Sequence, residues 1–215
     1  MKNIIVMSIV LLMCSNLYAL ENRFSDYNAD ALQYYNQAVD LLAQYKTKEA
    51  KELFEKAVFA EPFFAEAFFN LGVLYQNRGD TVNALREYQK AVALYPRDAE
   101  LYYNIGLIHL GNGNYEVAED AFYEALFIDP DMNNARYHCA DALRLQGKYD
   151  EALEEVQEML DRDPNTADTY LLMGIIFDNK GDALREALFS YKKYIQFGGK
   201  DPRVRGWIDR LEYEL

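Results

Sequence analysis

Cysteine is nearly absent from this chain of 215 residues: Cys14 and Cys139 are the two. With Cys14 inside an N-terminal leader, Cys139 would stand alone, which excludes an internal disulfide in the mature chain. Histidine is as scarce, His109 and His138 being the two, and they form no His-x-x-x-His pair, so no metal site is expected. Basic charge is in short supply, 22 Lys+Arg against 35 Asp+Glu for a net −13. A body this negative argues against a phosphate-neutralising face, and no nucleic-acid partner is expected. There is no Gly-x-x-x-x-Gly-Lys-Ser/Thr loop, Gly-x-Ser-x-Gly elbow or Gly-x-Gly-x-x-Gly run. Function has to be argued from a site, and without a catalytic constellation the chain reads as a non-enzyme that needs no cofactor. No Asn-x-Ser/Thr sequon occurs, which leans toward a bacterial envelope rather than a eukaryotic secretory route.

Long apolar runs are missing too. The most apolar stretch, residues 4–13, follows the short basic start Met1-Lys2-Asn3 and precedes the more polar segment 14–19. Ten residues are too few to span a bilayer. The pattern is that of a secretory signal over 1–19, cleaved after Ala19. Leu11-Leu12-Met13-Cys14 also resembles a bacterial lipobox but departs from it at Met13, so a lipid anchor at Cys14 is the minor alternative. The expected setting is the periplasm or cell envelope of a bacterium.

What the chain has in abundance is order. Pro62, Pro96, Pro130 and Pro164 stand 34 residues apart. Ala50, Ala84, Ala118 and Ala152 keep the same step, as do Gly79, Gly113, Gly147 and Gly181. A fixed period of this length is the mark of a stacked helix–turn–helix array. In residues 65–98, Phe68, Leu71, Gly72 and Tyr75 recur at helical spacing on one face, and Ala84, Tyr88 and Ala91 line the facing stripe of a second helix. Gly79 is placed to end the first helix in a left-handed conformation, Asp80 or Thr81 to cap the second, and Pro96 to stop it. Gly72 against Ala84 and Ala91 predicts close approach of the two helix backbones.

These residues resemble the tetratricopeptide repeat family, whose signature runs aromatic, Leu, Gly, Tyr, then Ala, aromatic, Ala, Pro. Residues 99–132 carry Tyr102, Ile105, Gly106, His109, Ala118, Phe122, Ala125 and Pro130. Residues 31–64 carry Tyr34, Gln37, Ala38, Leu41, Ala50, Phe54, Ala57 and Pro62, with Tyr45 where glycine is usual in the turn. Residues 133–166 depart most, with Arg136 in the aromatic slot and Met159 for the small alanine. In residues 167–199 the turn is one residue longer, so Ala187 and Tyr191 continue the signature one step late. Val204, Trp207, Ile208 and Leu211 make one face of a closing helix over 200–215. The resemblance implies an all-α fold: a superhelical array of five helix-turn-helix units over 31–199, with a C-terminal capping helix and a lead-in over 20–30.

In that family the first helix of each pair lines a concave wall where ligands usually lie. One slot along this wall reads Asn36, Asn70, Asn104, His138, Leu172, and the slot before it Tyr35, Phe69, Tyr103, Tyr137, Leu171. An amide donates and accepts at once, so an asparagine ladder can pair with an extended backbone, and aromatics add apolar contact with few rotatable bonds. The candidate ligand site is therefore Tyr35, Asn36, Phe69, Asn70, Tyr103, Asn104, Tyr137 and His138. The same asparagines also fit a role in local helix structure. Family members that grip a free C-terminal carboxylate do so with Lys and Arg; here Leu32, Glu66, Glu100, Asn134 and Asp168 stand there, so that mode is not expected. His109 and Cys139 occupy interior slots and read as packed residues. Phe63 is a candidate exposed contact, and Phe64 a residue that closes the interface between units.

The expected function is a scaffold that binds a protein partner or peptide segment. Two alternatives belong to other classes. Residues 180–210 hold eight basic and four acidic side chains, against 13 and 29 over 20–178, so a homo-oligomer built by docking this basic end on the acidic body is one. A carrier of a small apolar ligand in an aromatic-lined groove is the other.

Overall fold

A computed structural model describes residues 27–215; the signal and the lipid-anchor alternative at Cys14 lie outside them. The chain divides after Pro96 into two compact units. The N-terminal unit holds α1 (Ala29–Ala43), α2 (Thr47–Ala60), α3 (Ala65–Gln76) and α4 (Thr81–Leu94). The C-terminal unit holds α5 (Ala99–Gly111), α6 (Tyr115–Ile128), α7 (Asn133–Leu145), α8 (Tyr149–Arg162), α9 (Ala167–Lys180), α10 (Leu184–Gln196) and α11 (Arg203–Glu214). These are five antiparallel pairs and a closing helix, with no strand among the described residues.

The 34-residue punctuation has a direct backbone cause. Proline pushes the residue before it out of the helical region. Accordingly Glu61, Tyr95, Asp129 and Asp163, each preceding a proline, take φ of −135°, −129°, −128° and −138° and end α2, α4, α6 and α8. The first helix of a pair stops differently. Gly79, Gly113 and Gly147 have φ of 75–79°, and the next amide reaches back to close the last turn, as in Asp80 N–H to Tyr75 O at 3.0 Å. Asp80 then accepts from the Asn83 N–H and caps α4.

Tyr45 is the one described non-glycine residue with positive φ, at 61°. It makes the same helix-ending turn, with Lys46 N–H on Leu41 O at 2.9 Å, while its ring is 91% exposed and packs on little. Tyr45→Gly is therefore expected to stabilise the N-terminal unit by about 0.5–1 kcal/mol, the relief of left-handed strain exceeding the added freedom of the unfolded chain. A chemical denaturation midpoint that falls on this substitution overturns that account.

Packing inside each pair corrects one expectation. Gly72 was expected against Ala84 and Ala91, and the atoms nearest to it belong to another side chain. It admits a ring: a Cβ there would lie 2.5 Å from Tyr88 Cε1. Gly106 receives Phe122 and Gly174 receives Tyr191 in the same way. Where the small residue is Ala140, the residue in the ring's slot shrinks to Val156, both fully buried. Glycine makes room for the ring in these three pairs, while the first pair fits the Phe54 ring beside Ala38, both fully buried.

Each unit buries its own apolar cluster. In the N-terminal unit this is Ala31, Ala38, Ala50, Phe54, Ala57 and Phe64 with neighbours on α3. In the C-terminal unit one cluster runs from Phe122 through Leu143 and Val156 to Ile176, and a second closes under α11 around Tyr191, Val204 and Leu211. Phe64 is fully buried and Phe63 is 68% exposed.

Candidate functional site

The residues singled out on the first-helix walls fall into two groups. In the N-terminal unit, α1 carries Tyr35 and Asn36 and α3 carries Phe69 and Asn70. Tyr35 stacks on Phe64 with ring centroids 4.8 Å apart and meets Phe54 edge-on at 5.5 Å. Its hydroxyl accepts from Asn70 Nδ2 at 3.3 Å, and the same Nδ2 donates to Glu66 O at 2.8 Å. Phe69 leans on Tyr88 at 5.8 Å. Asn36 is exposed and makes no hydrogen bond with the described residues.

In the C-terminal unit, α5 carries Tyr103 and Asn104 and α7 carries Tyr137 and His138. Asn104 Nδ2 donates to Glu100 O at 2.8 Å, the bond that Asn70 makes one repeat earlier. His138 sits in an aromatic nest, 5.4 Å from Tyr137, 5.9 Å from Tyr103 and 5.9 Å from Phe122. Burial lowers its pKa, against a smaller opposing pull from Asp141, so the ring is neutral at physiological pH. Burial also raises the phenol of Tyr137, with Asp141 and Asp168 adding to the effect. The fifth slot is closed: Leu172 is 1% exposed.

The donor bonds change what the asparagines offer. A side-chain amide that gives its N–H to the carbonyl four residues back is locked in one orientation. Asn70 and Asn104 are locked so: Asn70 spends both N–H groups, on Glu66 O and the Tyr35 hydroxyl, and leaves Oδ1, whereas Asn104 spends one and leaves Oδ1 and its second N–H. Each unit thus presents one asparagine of fixed orientation with its Oδ1 acceptor available beside aromatic rings. Arg144, near the C-terminal end of α7, is paired with Asp141 at 2.7 Å.

Away from these walls, Cys139 is fully buried and its thiol is pushed up to about 12 by burial, so it is a packed hydrophobe with no thiolate to offer. His109 is half-buried, less enclosed than its interior slot suggested, with burial lowering its pKa. No group of three or more His, Cys, Asp or Glu among the described residues is placed to hold a metal ion. No described helix is long and apolar enough to cross a membrane.

Two features escaped the sequence reading. Arg136, recognised there only as a misfit in an aromatic slot, is 8% exposed and paired with Glu155 at 2.6 Å across α7 and α8, with Pro130 O accepting from Nη2 at 3.2 Å. The other is a cavity of about 460 Å³ under the closing helix, lined by Ile175, Asp178, Tyr191, Trp207 and Arg210, in which Arg210 already pairs with Asp178. No spacing signal marks either one. Arg136 and Glu155 are 19 apart, outside any same-helix rule, and Glu155 is one of 35 acids.

Comparison with known proteins bears on the fold and the family. A search of curated proteins finds no match. Among solved structures, the chain is similar to YrrB, described as a TPR protein with an unusual peptide-binding site, with a TM-score of 0.75 at 21% identity over 89% of this chain and 98% of that one. It is similar to PilF of Pseudomonas aeruginosa, with a TM-score of 0.70 at 24% identity over 86% and 84%. It is also similar to MamA of Desulfovibrio magneticus RS-1, with a TM-score of 0.74 at 20% identity over 79% and 96%. At these identities the likeness is one of fold. The sequence itself matches the tetratricopeptide repeat model over residues 35–99, 74–135 and 103–167, together more than half of the chain. The proline-ended helix pairs, the glycine-and-ring packing and this match agree: the chain belongs to the tetratricopeptide repeat family.

Proposed function

We propose that this protein is a non-enzymatic scaffold that holds extended peptide segments of a protein partner on the first-helix wall of each unit. The observation that carries the reading is the locking of Asn70 and Asn104 by their own helices, which fixes Oδ1 acceptors in advance of binding. Fixed acceptors lower the ordering cost of taking up a peptide N–H. Tyr35, Phe69, Tyr103, Tyr137 and His138 flank them with rigid apolar area, and Asn36 adds a further amide on α1. A structural relative described as having a peptide-binding site lends support to a peptide as the ligand. The setting we propose is a bacterial periplasm or envelope assembly, supported by the secretory pattern over 1–19.

The test compares the mature chain with the triple variant Asn36→Ala, Asn70→Ala, Asn104→Ala at matched helicity. Recovered from the envelope fraction of bacterial cells, the parent is expected to begin at Leu20 and to carry a bound protein whose retention drops at least tenfold in the variant. Equal retention moves the binding off the asparagines; a chain found only in the cytoplasm sinks the envelope setting.

The self-docking alternative weakens on inspection. Of the eight basic residues over 180–210, Lys180 pairs with Asp150, Lys192 with Glu212, Arg203 with Asp201 and Arg210 with Asp178. Half of the basic end is neutralised within the molecule.

A further inference from the structure

In the N-terminal unit, a lysine of the second helix lies over the aromatic ring of the first. Lys56 Nζ is 6.0 Å from the Tyr34 ring centroid, and Lys90 Nζ is 5.0 Å from that of Phe68. Stepping on by 34 residues takes this lysine to Glu124 on α6, and by 34 more to Glu158 on α8. The sign of the outer row therefore reverses in the C-terminal unit, and at the fourth repeat the ring reverses with it, to Arg136.

A cavity of about 520 Å³ opens where this happens, lined by Tyr123, Glu124, Leu126, Phe127, Arg136 and Glu155. That volume lies within the range, roughly 300–1,000 Å³, of clefts that take up ligands. Its charge is not balanced. Arg136 is engaged by Glu155 at 2.6 Å, and Glu158 lies farther off at 3.8 Å with its side chain 60% exposed. Glu124 is exposed and has no hydrogen bond or ion pair among the described residues. Three carboxylates thus face one guanidinium.

The apolar lining is equally unsatisfied. Phe127 is 79% and Tyr123 40% exposed, one helical turn apart on α6. Tyr123 reaches down to Cys139 of the core cluster beneath it, and Phe127 stands clear of that cluster. The Tyr123 phenol is pushed up by burial first and then by neighbouring negative charge, including Glu155.

We infer that this outer cleft between α6, α7 and α8 is a second docking site, and that its occupant is an arginine beside an apolar residue in a basic segment of a partner protein. A guanidinium stacks on tyrosine and phenylalanine faces and is more weakly hydrated than an ammonium, so it suits a half-apolar pocket rimmed by carboxylates. The net charge of −13 draws a basic segment in and opposes a second copy of the same chain. The site is separate from the asparagine walls, so a scaffold that uses both would hold two segments at once.

The experiment titrates the full mature chain into the end-blocked, fluorescein-labelled peptide Ala-Leu-Arg-Ala-Leu-Arg and into its glutamine-for-arginine counterpart. The arginine peptide is expected to bind at least tenfold tighter, and less tightly as salt is raised. Phe127→Ala and Glu124→Gln should each weaken it at least fivefold with the melting curve unchanged. Glu214→Gln, an equal loss of charge at the far end of α11, should leave it as it was. Equal binding of the two peptides, absence of binding, or a Glu214→Gln effect as large as that of Glu124→Gln overturns the proposal. So does sedimentation showing that the protein alone self-associates and that Phe127→Ala abolishes it, since the occupant is then a second copy.

Discussion

Glu155→Ala is expected to destabilise the C-terminal unit by about 3 kcal/mol, the low end of the cost of stripping one partner from a buried ion pair. The Arg136 and Glu155 side chains are 10% and 14% exposed, so water would not replace the lost carboxylate fully. Arg136 Nε is already buried without a partner, and after truncation Pro130 O would be the nearest remaining acceptor, with Glu158 moving in from 3.8 Å to recover part of the loss. The pair itself need not be stabilising. Burying two charges costs about what their attraction returns, so apolar replacements of both are often neutral. Two different repeats supply the replacements: Phe68 stands in the Arg136 slot of one, opposite Glu87, and Ala121 in the Glu155 slot of the next, opposite Tyr102. Arg136→Phe combined with Glu155→Ala is therefore expected within about 1 kcal/mol of the parent, by the same argument. Urea denaturation measures both, and amide exchange locates the loss, which should concentrate in α7 and α8 because a repeat contacts only its neighbours. A loss below about 1 kcal/mol in Glu155→Ala would class the bridge with solvent-screened surface pairs.

The same residues show what could be read in advance and what could not. The prolines announced four helix ends because a residue before proline is extended in any context, and Glu61, Tyr95, Asp129 and Asp163 obey. Gly79 and its equivalents were legible for the same kind of local reason, and Tyr45 in a glycine slot marked strain that the backbone carries at φ 61°. Partners across space were less legible. Gly72 was expected against alanines and meets the Tyr88 ring instead, because periodicity gives the face of a helix but not which side chain crosses to fill it. The asparagines stood out at 34-residue spacing, yet Asn70 and Asn104 each give an N–H to the carbonyl four residues back, a local option that competes with any ligand role. Arg136 was visible as an exception. Its meaning depended on Glu155, and one acid among many carries no mark of being buried.

Gly106→Ala is the second large effect, a loss of about 2 kcal/mol in the C-terminal unit, although alanine is the better helix former by about 1 kcal/mol. The new methyl would sit 2.6 Å from Phe122 Cε1 and 2.7 Å from Cδ1, well inside van der Waals contact. The ring has nowhere to retreat. Phe122 is fully buried and lies against the Tyr103 and His138 rings at 6.1 and 5.9 Å, so α5 and α6 must part or the wall residues must shift. The neighbouring repeat pairs its alanine with a smaller residue, Ala140 with Val156, while the first repeat accommodates Ala38 beside Phe54. Phe122→Val alone should cost about 2–3 kcal/mol through the cavity it leaves. Placed together with Gly106→Ala, the methyl enters that cavity, and the double variant should cost at least 1 kcal/mol less than the sum of the two. Additivity within about 0.5 kcal/mol would mean that the two residues do not share this space. Because Tyr103 and His138 rest on the same ring, Gly106→Ala should also weaken ligand capture by the C-terminal wall, and the double variant should restore stability more fully than capture. Loss of stability without loss of capture would separate the packing of this pair from the wall it supports.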